Sequence, residues 1–559
     1  MLFLGLYGLS LFSLLLVCIG WGKLLLLLVR EKELRDWDVL LLAGVGVWGC
    51  ICFLLLWIGL WQPWLLIGIF LGGLGGWWLS PQIRWPRLQE TCALAMFGVA
   101  CMGFLDAWGP IIDTDSLYYH QALAKQMAIR GELIGGWFEP NGSRPMLLHS
   151  VYAFVWQFWG EKGPSVLHLC MSLGLLVSVV ERSRSGFWGL LLLVSSWSLF
   201  QEIGIISNNL PTAFAIFLTW RLVCAERYRM AAWLAFVALS YKLTSVGLIF
   251  AIWLLYIPSW RLRSQLLIAV VALFSIWPLR NIMMDVAPMF PFMGWEEPFQ
   301  SLDKYGMGRS LKGFLWLPWN IFQHAEIDSH QFQGQLSWML MVSGLAWIRL
   351  RKKELFLLAM GCAFWALGPQ WLRHFTLLLP LMVFLIGPQL RLRWFQGLLF
   401  LGFLYSISNN WGPLFSRWSA KWEVIRGEQN EEVFLSENIV GYDALQWVNT
   451  KIPKDSCPAL LFVWGGAVLD RPYLLSSVED HIPVRAWIKT HKERSFSVLP
   501  CDYVVVGKAA MSRKRYSFLS DEQYQHQIER PLAELETLLL KKAVLVYTEK
   551  GIRVYRIQK

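Results

Sequence analysis

The sequence predicts a polytopic α-helical membrane protein of about fourteen spans with a small α/β soluble domain at its C-terminal end. Three observations carry that expectation. The 559 residues are 56% hydrophobic and only 16% charged, against ~25% charged in ordinary soluble chains, and the mean hydropathy is +0.45. The apolar residues also come in uninterrupted runs, and the character of the chain changes after about Asn410.

A spanning helix needs ~20 mostly apolar residues. Leu2–Gly22 and Val39–Trp61 supply them outright, and Phe187–Phe200 and Thr376–Gly387 do so with their flanks. A sheet barrel would alternate apolar and polar residues, and these runs do not. Leu2–Gly22 has no basic segment before it and outruns a 7–15-residue signal core, so it is expected to be a span. The 34 Trp and 34 Phe suit interfacial belts, although packing alone would use many of them.

Charge supplies direction. The formal charge of +11 would raise nucleic acid as a partner in a soluble protein. Here the basic residues fall in short bursts between apolar runs, so topology explains them and no nucleic-acid partner is expected. Short basic loops face the cytoplasm. The bursts are Arg30–Arg35, Arg84–Arg87, Glu181–Arg184, Arg227–Arg229, Arg261–Arg263, Arg349–Lys353 and Arg391–Arg393. Placing them inside puts Gly109–Met146, Asn281–Gln335 and the tail on the other face, the periplasm of a bacterial inner membrane. One stretch resists this bookkeeping. Met146–Val180 holds two apolar segments, and two crossings would put Glu181–Arg184 outside, so one segment is expected to be short or re-entrant.

The resulting division is N-terminal transmembrane helices (1–108), a first long loop (109–146), a transmembrane core (147–410) carrying a second long loop (281–335), and a C-terminal periplasmic α/β domain (411–559). In the tail, Ala459–Trp464 and Tyr503–Val506 read as buried strands. Val544–Tyr547 and Ile552–Ile557 read as a strand pair turning at Gly551, and Ala444–Thr450 and Asp521–Lys541 read as helices. All ten cysteines except Cys457 and Cys501 lie in or beside apolar runs. Those two flank the expected strands, and an oxidising compartment would permit a disulfide between them, subject to geometry. Gly72–Gly76 (GGLGG) permits close helix packing.

The segment richest in chemistry is Asp106–Gln126, DAWGPIIDTDSLYYHQALAKQ. It places Asp113 and Asp115 just beyond a span. Either they start a helix, since Asp, Thr and Ser are favoured N-caps and carboxylates suit helix N-termini, or they act as general base or metal ligand at the membrane boundary. The residues themselves leave both readings open.

This segment resembles a known family. DSLYYHQALAKQ is similar to the D-x-L-x-Y-H-L-x-x-x-K signature in the first periplasmic loop of bacterial GT-C glycosyltransferases of the family 39 and aminoarabinose-transferase-like kind. Ser275–Phe292 (SIWPLRNIMMDVAPMFPF) resembles their P-W-x-x-R-N…G-N-P-x-x-P-F segment. Gly308–Ile321 resembles S-L-x-x-x-L-x-L-P-W-N, and Arg373–Met382 resembles R-Y-x-L-x-x-x-P. The four occur in the family's order. The departures are Asp285–Pro288 (DVAP) in place of T-G-N-P, His374-Phe375 beside Arg373, and about four spans ahead of the acidic loop where the family has one.

The resemblance implies a GT-C-like fold and inverting sugar transfer from a polyprenyl-phosphate donor to an envelope lipid, glycan or protein. It makes Asp115 the activator of the acceptor hydroxyl, with Asp113 as its partner. The two together are candidate ligands for a divalent cation (Mg or Mn), in a reaction either metal-dependent or metal-independent. Tyr119 and His120 would shape the site. Lys125, Arg280 and Asn281 would meet the donor phosphate where a span emerges, and Arg373 would line the same pocket; Lys242, apart from the resemblance, is an ionisable residue near membrane depth at the outer end of a span and could line that pocket too. Glu202 is the carboxylate nearest to another acidic position of the family. Each assignment has a plainer rival: packing for the rings, snorkelling for Lys125, helix anchoring for Arg280 and Arg373.

Other chemistries find no motif. There is no G-x-x-x-x-G-K-[ST], no H-E-x-x-H and no C-x-x-C. An O-antigen ligase or polymerase shares many spans and a long outer loop but not this motif pair. A transporter or flippase of lipid-linked sugars would favour inverted repeats and polar groups at the midplane.

Overall fold

Apolar runs satisfy their backbone N–H and C=O groups in lipid only by closing into helices or barrels. Here they close into helices. The computed structural model describes residues 2–558 except 32, 79–81, 136–139, 184–185, 290–305, 307–309, 326–331, 333, 369, 464, 475–500 and 508–519. The ends of two quoted motifs (290–292 and 308–309) therefore lie outside the described residues, as does most of the second loop. Trp37–Trp57, Glu90–Trp108, Lys162–Arg182 and Trp260–Met283 are long and apolar enough to cross a membrane, and five shorter apolar helices accompany them. Other runs break into pieces such as Gly186–Val194 and Leu379–Ile386. Length alone therefore does not recover about fourteen spans among the described residues.

Glycine sets the packing of the first three helices. A Cβ on Gly20 would meet the Gly73 carbonyl oxygen at 1.7 Å, and one on Gly44 would meet that of Cys18 at 1.6 Å. The Gly72–Gly76 run thus lets the Pro63–Trp78 helix lie against the Leu2–Leu28 helix backbone to backbone.

The two ends of the bundle differ in chemistry. At one end, Asp36 pairs with Arg182 at 2.8 Å and with Arg221 at 3.2 Å, and it bridges to Arg84. Buried Asp38 is ion-paired with Arg221. Arg227 reaches Glu33 at 3.1 Å. Four of the basic bursts, or the residues flanking them, thus gather together. The Trp37–Trp57 helix runs from there to the far end. There Leu133 donates to the Leu56 carbonyl at 3.3 Å, and the first long loop begins to cover the bundle.

The stretch 146–180 holds one helix long enough to cross a membrane and one too short. The Leu147–Trp159 helix has 13 residues, about 20 Å of rise, short of the ~30 Å hydrocarbon core. Both of its ends lie beside the first long loop. Arg144, before it, sits over Tyr119 at 5.1 Å, and the Glu161 carbonyl, after it, accepts from Gln121 at 3.0 Å. It returns to the side it left. The Lys162–Arg182 helix then crosses and delivers Arg182 to Asp36, so Glu181–Arg184 keeps its basic company.

The tail contains the four expected strands, β1 (Ala459–Leu461), β2 (Tyr503–Gly507), β3 (Ala543–Glu549) and β4 (Ile552–Ile557), in one sheet of order β1-β2-β4-β3. β1 and β2 are parallel, and the other pairs are antiparallel. Lys550 and Gly551 take positive φ in the β3–β4 turn. The boundary at 411 shifts. The Gly412–Ile425 helix packs on Glu90–Trp108, and buried Asp106 accepts from Arg417 (2.7 Å), Trp418 (2.9 Å) and Lys421 (3.1 Å). The sheet domain starts beyond it, where Asn430 caps Glu431–Asn438.

Candidate functional site

The first long loop lies between bundle and sheet domain. Its Ser116–His120 turn and Gln121–Arg130 helix bury Leu117 and Ala122 in the core of the C-terminal domain, together with Tyr442, Leu445 and Ile552. The opposite face of the same segment carries Tyr119 and Leu123 into the core of the bundle.

Asp113 does what an N-terminal capping residue does. Its Oδ2 accepts from the Ser116 amide at 2.9 Å and from Ser116 Oγ at 3.1 Å. Enclosure by the loop pushes its carboxyl above the usual carboxylate range, and Asp115 adds to the push. Asp115 turns the other way and is ion-paired with Arg373. The Arg373 guanidinium also lies 4.2 Å from the Trp371 ring centre, which fixes its plane.

A second carboxylate joins from the bundle. Glu202 Oε1 accepts from Asn209 Nδ2 at 2.5 Å, and Asn209 Oδ1 accepts from Lys242. Lys242 ends the Tyr228–Tyr241 helix, and Asn209 begins the Asn209–Cys224 helix. Lys242 lies within electrostatic reach of Arg373, Glu202, Asp115 and Arg144. Arg373 in turn feels Asp115, Glu202 and Asp113. Three carboxylates and three cations thus share one neighbourhood at the loop end of the bundle.

Aromatic rings close one side. Tyr119 lies 4.3 Å from His120 and 5.0 Å from His149. His120 Nδ1 and His149 Nε2 are 2.9 Å apart, so one of these nitrogens carries the proton and the other accepts it. His168, at 2.8 Å from the Glu202 carbonyl, takes the Tyr152 hydroxyl at 2.9 Å.

Of the sequence-derived candidates, Asp113, Asp115, Tyr119, His120, Lys242 and Arg373 come together. Lys125 does not. Buried at the domain junction, its ammonium donates to the Ala467 carbonyl (2.8 Å), Asp470 (2.8 Å) and Glu161 (3.3 Å). That uses all three donors of a lysine and leaves none for a phosphate. Gln126 continues the contact, donating to the Arg471 carbonyl at 2.9 Å and accepting from the Tyr473 amide at 3.2 Å, and Arg130 donates to the Tyr473 carbonyl. The Gln121–Arg130 helix is thus clasped by residues 467–473.

Arg280 and Asn281 hold the loop from the other side. Arg280 is fully buried and donates from Nη2 to the carbonyls of Ile134 (2.5 Å) and Gly142 (2.6 Å). Asn281 donates to the Ser143 and Pro288 carbonyls at 2.9 and 3.2 Å. Nε and Nη1 of Arg280 have no hydrogen-bond partner among the described residues. Arg144 and His149 escaped sequence reasoning. Arg144 and His149 lie outside every quoted motif. Asn209 belongs to the polar pair Asn208-Asn209 ahead of Pro211, at an expected outer helix end.

Among the described residues no three His, Cys, Asp or Glu side chains converge for a cation. Asp113 is engaged by Ser116 and Asp115 by Arg373.

The described residues thus form a helical bundle with an acidic first loop folded back on its end and a small mixed sheet over that loop. Among solved structures the chain is similar to ArnT from Cupriavidus metallidurans bound to undecaprenyl phosphate, with 13% identity and a TM-score of 0.50 over 83% of this chain and 97% of that one. The apo form of the same protein matches with 11% identity and the same TM-score and coverage. At this identity the likeness is one of fold. No family model matches the sequence, and no curated protein matches it closely enough to count.

Proposed function

We propose that this protein is a membrane glycosyltransferase that moves a sugar from a polyprenyl-phosphate donor to an envelope lipid, glycan or protein at the periplasmic face of a bacterial inner membrane. The observation that carries the reading is the Asp115–Arg373 pair beside Lys242 and Glu202, in a fold shared with a protein crystallised with undecaprenyl phosphate. A lipid-borne anion needs cations at the end of the spans. A sugar acceptor needs a base within ~3 Å of its proton.

In the proposed reaction the acceptor hydroxyl attacks the anomeric carbon from the side opposite the phosphate, inverting it. Asp115 takes the hydroxyl proton, and the phosphate leaves with the bonding electron pair. Arg373 and Lys242 meet the charge that grows on the phosphate, and the unpartnered Nε and Nη1 of buried Arg280 are further donors on the loop's far side. In the resting site Arg373 neutralises Asp115. Entry of the phosphate draws the guanidinium away and frees the carboxylate, so donor binding activates the base. No step runs through a metal ion. The test is purified protein in lipid nanodiscs given polyprenyl-phosphate sugars and an envelope lipid extract. Release of polyprenyl phosphate with a glycosylated product is expected. Movement of intact donor across vesicles without release would instead favour a flippase.

A further inference from the structure

Two thiols outside the site are placed for bond formation. Cys457 lies two residues before β1, and Cys501 two residues before β2. The strands are parallel neighbours in the register Ala459↔Val504, which carried two residues back sets Cys457 opposite Asp502, one residue from Cys501, so both cysteines stand at the same end of adjacent strands. Neighbouring strands run ~4.8 Å apart, inside the ~4.4–6.8 Å Cα window of a disulfide. Both are free thiols in this structure, within electrostatic reach of each other. Cys457 is half-buried and Cys501 buried, so one thiol is open to a partner and the other waits behind it. The contact with Cys501 holds the Cys457 thiol below its ordinary range, burial opposes this, and the Arg130 guanidinium adds to the lowering. Cys50 and Cys52, by contrast, stand one residue apart on a single helix, where their side chains diverge.

We propose that Cys457 and Cys501 are joined by a disulfide in the folded protein, made by exchange with a protein disulfide donor on the periplasmic face. The Cys457 thiolate attacks one donor sulfur and displaces the other as a thiolate, giving a mixed disulfide. Cys501 then gives up its proton and attacks the Cys457 sulfur, and the donor leaves as a dithiol. The cysteines lose two electrons and two protons, and the donor gains them. The bond ties the start of β2 to the start of β1, beside the segment that clasps the catalytic loop, since Leu474 pairs with Ala459. The inference rests on the periplasmic placement of the tail proposed above.

Membranes quenched in acid and alkylated before reduction should yield a Cys457–Cys501 linked peptide by mass spectrometry. Cys457→Ser and Cys501→Ser should each abolish it and leave the remaining thiol alkylated. Reductant should lower the unfolding temperature of the native protein and not that of the double variant. Recovery of both residues as alkylated thiols overturns the proposal. Oxidised glutathione on purified protein separates the causes. If it joins the pair in vitro while membranes yield thiols, the native bond and the periplasmic tail both fall, and sugar transfer stands or falls by its own assay. If it cannot join them, the strand-end geometry itself is refuted.

Discussion

Replacing Asp115 by Asn separates catalysis from folding. Asp115 and Arg373 are about 30% and 20% exposed at their side chains, so solvent screens the pair. Its static worth is held to about 1 kcal/mol, and Asn keeps the shape and one acceptor oxygen. The unfolding temperature should therefore shift by only a few degrees. Loss of a positioned base costs a factor of about 10²–10⁴ in rate, equivalent to about 3–5.5 kcal/mol of transition-state stabilisation. Two readouts on one preparation decide it: polyprenyl-phosphate release per enzyme in nanodiscs, and thermal unfolding by intrinsic tryptophan fluorescence. The loss should fall on kcat more than on KM for the donor, because Arg373 is released to bind phosphate. Full activity in Asp115→Asn refutes the base. A collapse of folding together with activity refutes the claim that the pair is catalytic rather than structural.

Asp113 should behave differently. Its folded pKa is raised by burial and then by Asp115, so the folded state favours the neutral acid. Stability should rise as pH falls through that raised value, with the full penalty present above it. Asp113→Asn should flatten this dependence in pH-resolved melting curves, with a smaller loss of rate than Asp115→Asn. Lys125→Met removes three donated bonds, but Glu161 and Asp470 are 55% and 73% exposed and rehydrate, so the cost should be about 1–3 kcal/mol. Limited proteolysis between the bundle and the sheet domain should detect the loosened clasp. Arg280→Met strands two buried carbonyls at about 1–3 kcal/mol each, and should show as a lower melting temperature with earlier cleavage in residues 131–146. If Asp115 needs no cation, chelation should leave the transfer rate unchanged; a loss restored by Mg or Mn would reinstate the metal reading.

What the sequence made legible followed from local physics. Apolar runs and the turn at Gly551 are properties of neighbours, and they located the bundle and all four strands. The Met146–Val180 stretch was ambiguous because two apolar segments look alike until one proves to be 13 residues long with both ends on one side. Lys125 was misread because its partners, Ala467 and Asp470, lie more than 300 residues away in the chain. Glu202 and Asn209 meet Lys242 only once two helix ends are brought together, and no spacing rule encodes that. Asp113 and Asp115 take different places in the acidic motif. Asp113 starts the turn, and Asp115 faces the cations.

The clasp on the Gln121–Arg130 helix has a consequence in time. Lys125 is synthesised 345 residues before Asp470, so the bundle and the acidic loop are made long before the residues that seat that loop exist. A nascent or truncated chain carries every charged group of the site without a fixed arrangement of them. The Gln121–Arg130 helix gains its full set of partners only once residues 467–473 have been made.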